Sequence, residues 1–287
     1  MAIPVSVVVP AHDEAAVIER GLRALTEGAA PGEIELVVVC NGCSDSTAEI
    51  ARRAFRDVEI VEIPVASKSA ALNAGDARAT RFPRFYVDAD IELPVSALRA
   101  TVAALDAGAL CAAPRPRFAM HGVPWFSRSF FTVLERMPFL SGPGVVGTGV
   151  YAVSESGRGR FGGFPDLTAD DQFVMDRFRA DERRAVDGAW FVVHPPRTWR
   201  DLLRVRRRVY RGRRELHAVT EPLEPVRPAN AAALGRLLRD HRTTRHVPVY
   251  IAVNVVARLL AHRRWSGTWE RDASTRAAAA QLGPAAQ

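Results

Sequence analysis

The chain predicts an α/β fold with a mostly parallel sheet, followed by C-terminal helices, and three observations predict it. Over the first 110 residues, β-branched apolar runs alternate with segments of helical periodicity in four successive units. The connections are a few residues long, which implies parallel strands joined by right-handed crossovers. Each run also ends in polar or turn residues, and in open parallel sheets ligands gather at the carboxyl ends of the strands.

In order, Val5 to Pro10 is a buried strand ended by proline. Glu14 to Leu25 carries Ala15, Ile18, Leu22 and Leu25 at helical spacing, and Gly28 and Pro31-Gly32 close it. Ile34 to Val39 is a second strand, and Ser44-Asp45-Ser46 offers caps for a helix over 47–55. Val58 to Ile63 reads as a strand and Ser67 to Ala79 as a helix. Phe85 to Val87 is a strand that runs into Asp88-Ala89-Asp90, and a helix over 94–105 opens on Pro94.

Beyond a strand at 109–113, the prolines 114, 116, 124, 138 and 143 and the glycines 142, 144, 147 and 149 mark an irregular region. It holds a helix near Trp125 to Arg136. A strand over 145–153, a helix over 167–180 capped by Thr168, a strand over 189–194 and a basic helix over 198–217 follow. Pro222 to Pro228 reads as a linker. The expected organisation is an α/β domain over 1–218, a helical extension over 219–265 and a poorly ordered tail over 266–287.

Hydrophobic residues at 48% and charged ones at 25% are ordinary globular values. Three cysteines suggest a reducing compartment. Met1 to Pro4 lacks a basic leader, and the apolar stretch 247–261 is interrupted by Pro248, Asn254 and Arg258. The expectation is a cytoplasmic protein, compatible with peripheral contact on the inner membrane face. Net charge is +7, with fourteen arginines against five acids between Pro196 and Arg245. Such a face suits phosphates, anionic lipid or nucleic acid, or is simply a solvated helix surface. Lys68 is the only lysine in the chain.

The chemistry centres on Asp88-Ala89-Asp90. In extended backbone both carboxylates project to one side, about 7 Å apart at the Cα atoms. Two oxygen donors so placed suit a hard divalent cation, Mg²⁺ or Mn²⁺, which can neutralise charge on a departing diphosphate. Asp90 is the more direct ligand in this reading. A second acidic pair, Asp170-Asp171, lies about 80 residues on at a helix start, where it can supply a general base or merely answer the helix dipole.

Together these stretches resemble family 2 glycosyltransferases. The resemblance runs from about Val5 to Arg213 and rests on five motifs in order. Val7-Val8-Val9-Pro10-Ala11-His12-Asp13-Glu14 is similar to the family's opening strand and P-A-x-N-E turn. Val37 to Thr47, through Cys40-Asn41-Gly42-Cys43-Ser44-Asp45, matches V-D-D-G-S-x-D-x-T. Lys68-Ser69-Ala70-Ala71-Leu72-Asn73-Ala74-Gly75 matches K-x-x-A-L-N-x-G. Asp88-Ala89-Asp90 matches the D-x-D motif, and Asp170-Asp171 the E-D pair.

The resemblance implies an A-type fold with a Rossmann-like nucleotide-binding half and an inverting reaction. A hexose would pass from a nucleoside-diphosphate sugar to a small-molecule or lipid hydroxyl acceptor. It implies donor contacts at Pro10, Ala11, Glu14, Asn41, Asp45, Lys68, Asp88 and Ala89, metal at Asp88 and Asp90, and Asp171 as base assisted by Asp170. Acceptor contacts fall to Trp125-Phe126 and 146–151.

Two departures stand out. Cys40 and Asn41 replace two acids of the nucleotide turn. Val205-Arg206-Arg207-Arg208-Val209 keeps only the arginine of the Q-x-x-R-W motif of processive members. Arg207 or Arg208 can touch the diphosphate, or the helix is a solvated basic face. A Cys40-x-x-Cys43 redox protein and a basic nucleic-acid or membrane-surface binder are the rival classes. Zinc at the cysteine pair is set aside because no second ligand pair follows in the sequence, and no nucleic-acid partner is expected.

Overall fold

The computed structural model describes residues 4–142, 148–224, 230–261, 275–277 and 279. The elements run β1 (Val5–Ala11), α1 (Ile18–Thr26), β2 (Ile34–Asn41), α2 (Thr47–Ala54), β3 (Glu59–Ile63), α3 (Lys68–Arg78), β4 (Arg84–Val87) and α4 (Val95–Asp106). There follow β5 (Cys111–Phe118), α5 (Trp125–Leu134), α6 (Pro138–Ser141), β6 (Val150–Val153), α7 (Glu155–Arg158), α8 (Asp170–Met175) and β7 (Arg183–Val193). The helices α9 (Trp199–Val219), α10 (Asn230–Arg239) and α11 (Val247–Leu260) complete the described chain.

One seven-stranded sheet runs β3-β2-β1-β4-β6-β5-β7. β1 pairs in parallel with β2 and β4, and β2 with β3, as the strand–helix alternation predicts. β6 is antiparallel to both β4 and β5, while β5 and β7 are parallel. Every residue of β1 is buried, and Val7, Val9, Val38, Phe85 and Ile18 share one core cluster beneath the first helices. Strands buried on both faces need such continuous apolar runs.

Several boundaries differ from the sequence expectation for identifiable reasons. α1 starts at Ile18 rather than Glu14, because residues 12–17 form a turn in which Asp13 adopts φ +49° and the Glu14 amide donates to Thr47 Oγ1 at 2.7 Å. β5 runs on through Pro114 and Pro116. It meets β6 only at Cys111 and Ala112, so the later prolines face no ladder on that side. β7 begins at Arg183, with a register shift opposite Pro114/Arg115. α8 is short and begins at Asp170 with Ala169 before it; the Thr168 hydroxyl donates instead to Glu215 Oε2 at 3.0 Å. Of the strand expected over 145–153, residues 150–153 form β6, Thr148 and Gly149 are a bend before it, and residues 143–147 lie outside the described residues.

The C-terminal helices join the body through a second apolar core. Phe126, Phe130 and Phe131 of α5, Leu202 of α9, Leu237 of α10, and Val247, Tyr250 and Val253 of α11 form it. α11 leaves Ile251, Val255 and Leu259 exposed on its other face. No described helix is long and apolar enough to cross a membrane. Most of the tail expected to be poorly ordered lies outside the described residues, as do the linker residues 225–228 and residues 262–265. Thr275 to Ala277, however, are helical, and Thr275 is buried.

One buried ionic cluster ties α3 to β4. Asp76 of α3 accepts from Arg84 and Tyr86 of β4, and from Arg158 of α7 at 2.6 and 2.9 Å. Burial would push its carboxyl up, but the hydrogen bonds from Arg158, Tyr86 and Arg84 overcome this and hold it below its usual range. Asp76→Ala strands two arginines and is expected to cost about 3 kcal/mol in urea unfolding at neutral pH. A group with a lowered folded pKa stabilises above its unfolded pKa and loses that contribution as pH falls through the lowered value. The deficit of the variant therefore shrinks in acid; a deficit independent of pH would contradict the assignment.

Candidate active site

The carboxyl ends of β1, β2 and β4 and the N-terminus of α3 open into one cleft of about 390 Å³. Pro10, Glu14, Asn41, Lys68, Asp88, Ala89, Asp90, Asp170 and Asp171 all line it. Residues about 80 positions apart in sequence meet because β6 leads away from this edge and the segment after it runs back along α3, through Arg158–Asp76, Phe164–Asn73 and Asp166–Ser69 contacts, to Lys68.

Lys68 is the centre of this arrangement. It is the first residue of α3, whose N-cap Ser67 accepts the Ala70 amide at 3.2 Å. Its Nζ lies 2.6 Å from Asp88 Oδ1 and 2.7 Å from Asp170 Oδ1. Burial alone would lower its pKa, but Asp170 and Asp88 reverse the effect and hold it above the ordinary lysine value. Burial pushes Asp88 up to about 6; Lys68 opposes this, and Asp170 and Asp90 add to it. The only lysine of the chain is therefore an internal counter-ion.

The two acids of the second pair divide. Asp170 is buried, bonded to Lys68 and to the Tyr151 hydroxyl, which donates to Oδ2 at 3.1 Å. Burial first, and Asp170 beside it, keep that phenol protonated by raising its pKa well above the usual value. Asp171 is half-buried at the cleft surface and accepts the Thr148 amide at 2.9 Å.

The loop bearing Asp88 and Asp90 is held by close packing. The Asp88 amide donates to Gly149 O at 2.8 Å, and Glu92 pairs with Val192 of β7. Gly21 of α1 lies against this loop: a Cβ there would stand 2.9 Å from both Ala89 O and Ile91 O. Gly149, at φ +97°, faces Asp88 Oδ2, which a Cβ would meet at 3.1 Å. Asp90 is the more open acid, 42% exposed.

Other expected contacts fall differently. Asp45 is not among the cleft-lining residues; it accepts the Ala15 and Thr47 amides at 3.1 and 3.0 Å and so ties the turn after β1 to the start of α2. Ala11 is buried within β1, with its carbonyl taken by the Asn41 amide at 2.8 Å. Asn41 Oδ1 is buried beside the cleft without a partner among the described residues. Trp125 is 68% exposed, whereas Phe126 is buried and stacked on Trp199. Arg206 is buried against Asn254, Phe130 and Tyr210, while Arg208, Arg211 and Arg213 line the cleft. The basic helix is thus no uniformly solvated face.

Sequence reasoning missed Arg276. Its Nε donates to Glu14 Oε2 at 2.7 Å, its Nη2 also bonds Glu14, and Nη2 lies 3.8 Å from Asp90 Oδ2. No local pattern announces a contact spanning 262 residues. Cys40 and Cys43 face each other as free thiols, and the bond from Cys40 holds Cys43 down to about 6.

The glycosyl transferase family 2 model matches residues 6–161, more than half of the chain, and this protein belongs to that family of glycosyltransferases. Among solved structures it is similar to the mannosyltransferase PcManGT from Pyrobaculum calidifontis, in complex with GDP-Man and Mn²⁺. Identity is 21%, coverage 99% of this chain and 80% of that one, and the TM-score 0.60. It is also similar to residues 1–349 of S. aureus TarS in complex with UDP, at 15% identity and TM-score 0.53, covering 93% and 94% of the two chains. Both share the A-type glycosyltransferase fold. A comparison with curated proteins gives no match.

Lys68→Met leaves Asp88 and Asp170 facing each other without a cation. Breaking a buried pair in this way is expected to cost about 3 kcal/mol at pH 8. Asp88 titrates at about 6 with Lys68 opposing the upward push, so loss of the lysine raises that carboxyl further; protonation then relieves the repulsion and the deficit narrows as pH falls from 8 towards 6. Urea unfolding across pH 5 to pH 8 checks both the size and the sign.

Proposed function

We propose that this protein is an inverting, metal-dependent glycosyltransferase. It moves a hexose from a nucleoside-diphosphate sugar to a hydroxyl acceptor, with Asp171 as general base. The observation that carries the reading is the meeting of Asp88, Asp90 and Asp171 in one cleft around the half-buried cation Lys68.

The donor set fits a hard cation: Asp88 and Asp90 offer oxygen only, on a loop pinned by Gly21 and Gly149. Mg²⁺ or Mn²⁺ held there would offset the negative charge on the departing diphosphate. The chain adds its own positive charge at the same place through Arg276, beside Asp90, and through Arg208, Arg211 and Arg213 along the cleft. Asn41 Oδ1, buried and unpartnered among the described residues, supports a base contact, since it can accept an N–H from a nucleobase where the family carries an acid.

Asp171 takes the acceptor hydroxyl proton as the acceptor oxygen bonds to the anomeric carbon. The bond from that carbon to the phosphate oxygen breaks, and its electron pair leaves with the diphosphate. Displacement from the opposite face inverts the anomeric centre. Asp170 does not serve as base in this scheme, because Lys68 and Tyr151 already occupy its two oxygens. The far side of the cleft, built from Phe118, Phe131, Leu134, Phe139, Val205 and Val209, favours an acceptor with an apolar portion.

Asp171→Asn is expected to lower transfer by about 10²–10⁴-fold with donor binding kept. Asp90→Ala should abolish metal-dependent donor binding. Anomeric NMR of the product is expected to show the configuration opposite to the donor's. Retained configuration, or normal transfer by the Asp171 variant, would sink this mechanism.

A further inference from the structure

Cys43, in the turn after β2, finds partner ligands in space rather than in sequence. The turns that follow β1 and β2 lie side by side and bring His12, Asp13 and Cys43 together. One potential ligand atom from each lies within 4.8 Å of the others. We propose that His12 Nε2, an Asp13 carboxylate oxygen and the Cys43 sulfur bind one thiophilic divalent cation of the zinc class. This site is separate from the oxygen-only position at Asp88 and Asp90.

Three features of the local geometry argue for it. His12 Nδ1 lies 2.6 Å from Asn41 O, so its N–H donates to that carbonyl and the lone pair resides on Nε2. A backbone carbonyl that fixes the tautomer and aims the other nitrogen is the usual outer support of a metal-bound histidine. Asp13 is held in the left-handed region at φ +49°, and its Oδ1 accepts the Ser44 amide at 2.6 Å and the Ser44 hydroxyl at 3.1 Å. Its Oδ2 is thereby turned towards His12 Nε2, 4.0 Å away. Cys43 Sγ sits 3.4 Å from the Asp13 amide, on the same side.

Ligand atoms around a tetrahedral zinc lie about 3.3–3.8 Å apart, so modest side-chain rotation closes the set. His12 and Asp13 are partly accessible, at 16% and 15%, which leaves a path for entry. The nitrogen and sulfur donors select against Mg²⁺, and the Asp88/Asp90 set selects for it, so the two cations do not compete for one place. Binding is through the Cys43 thiolate, and any proton still on the sulfur leaves to solvent as the sulfur–metal bond forms. His12 also lines the cleft, so the site lies at its rim. An occupied site would clamp the two turns that carry Glu14 and Asn41.

The experiment is an optical titration of the full chain with Co²⁺ in excess Mg²⁺. One equivalent is expected to produce a near-ultraviolet thiolate-to-cobalt band that Zn²⁺ displaces. Cys43→Ser should abolish the band, and His12→Ala or Asp13→Asn should weaken binding by about tenfold or more. Cys111→Ser should leave both band and affinity unchanged. A folding defect in these variants is bypassed by a second measurement on the Cys40→Ser/Cys111→Ser double variant, in which Zn²⁺ is expected to protect the remaining thiol from alkylation. No band, a band kept by Cys43→Ser, or no protection would overturn the proposal. None of these readouts needs donor or acceptor, so failure of the metal site and failure of the transferase reading are distinguishable.

Discussion

A single, largely enclosed ammonium group holds the working edge of this protein together. Lys68 Nζ bridges Asp88, at the end of β4, and Asp170, at the start of α8, and no other lysine exists in the chain. Two carboxylates cannot both stay ionised in so confined a place without such a partner. Arginine offers no equivalent here, because a planar fork cannot replace a compact point charge between two oxygens. The ion triad also explains why the acidic pair splits in role. Asp170 is committed to Lys68 and Tyr151, which leaves Asp171 to meet the cleft.

The frame around that contact is built to keep it in place. α3 carries Lys68 and is fastened to β4 by Asp76, Arg84, Tyr86 and Arg158 at its other end. α1 approaches the Asp88–Asp90 loop closely because Gly21 has no side chain to stand between them. These are rigid elements rather than long loops, and a site on rigid elements holds its geometry better. The cleft then divides into a charged part on the parallel strands and an apolar part on α5 and α6, while α9 adds both Val205 and Val209 and the arginines Arg208, Arg211 and Arg213.

Much of the first half was legible in the sequence because its signals are local. Parallel strands buried on both faces read as unbroken apolar runs, and each ends where its chemistry begins. The resemblance carried Asp88, Asp90, Lys68 and Asp171 to one cleft, where all four lie. What escaped notice depends on packing between distant segments. Arg276 reaches Glu14 across 262 residues, and Asp76 gathers partners from two other elements, β4 and α7. The prolines of β5 read as breakers because their missing ladder partner is a property of strand order, not of residue type. Asp45 was ambiguous between capping and ligand contact; its carboxylate accepts the amides of Ala15 and Thr47. His12 and Asp13 joined Cys43 only when two turns were laid side by side.

The most direct test of the account is a calorimetric titration of UDP and GDP into the protein, with Mn²⁺ present and then chelated. Binding of one of these diphosphates with Mn²⁺, weakened by at least about tenfold (about 1.4 kcal/mol) on chelation, is the predicted result. Equal affinity with and without the metal, or no binding of either nucleotide, would contradict a metal-assisted donor site at Asp88 and Asp90.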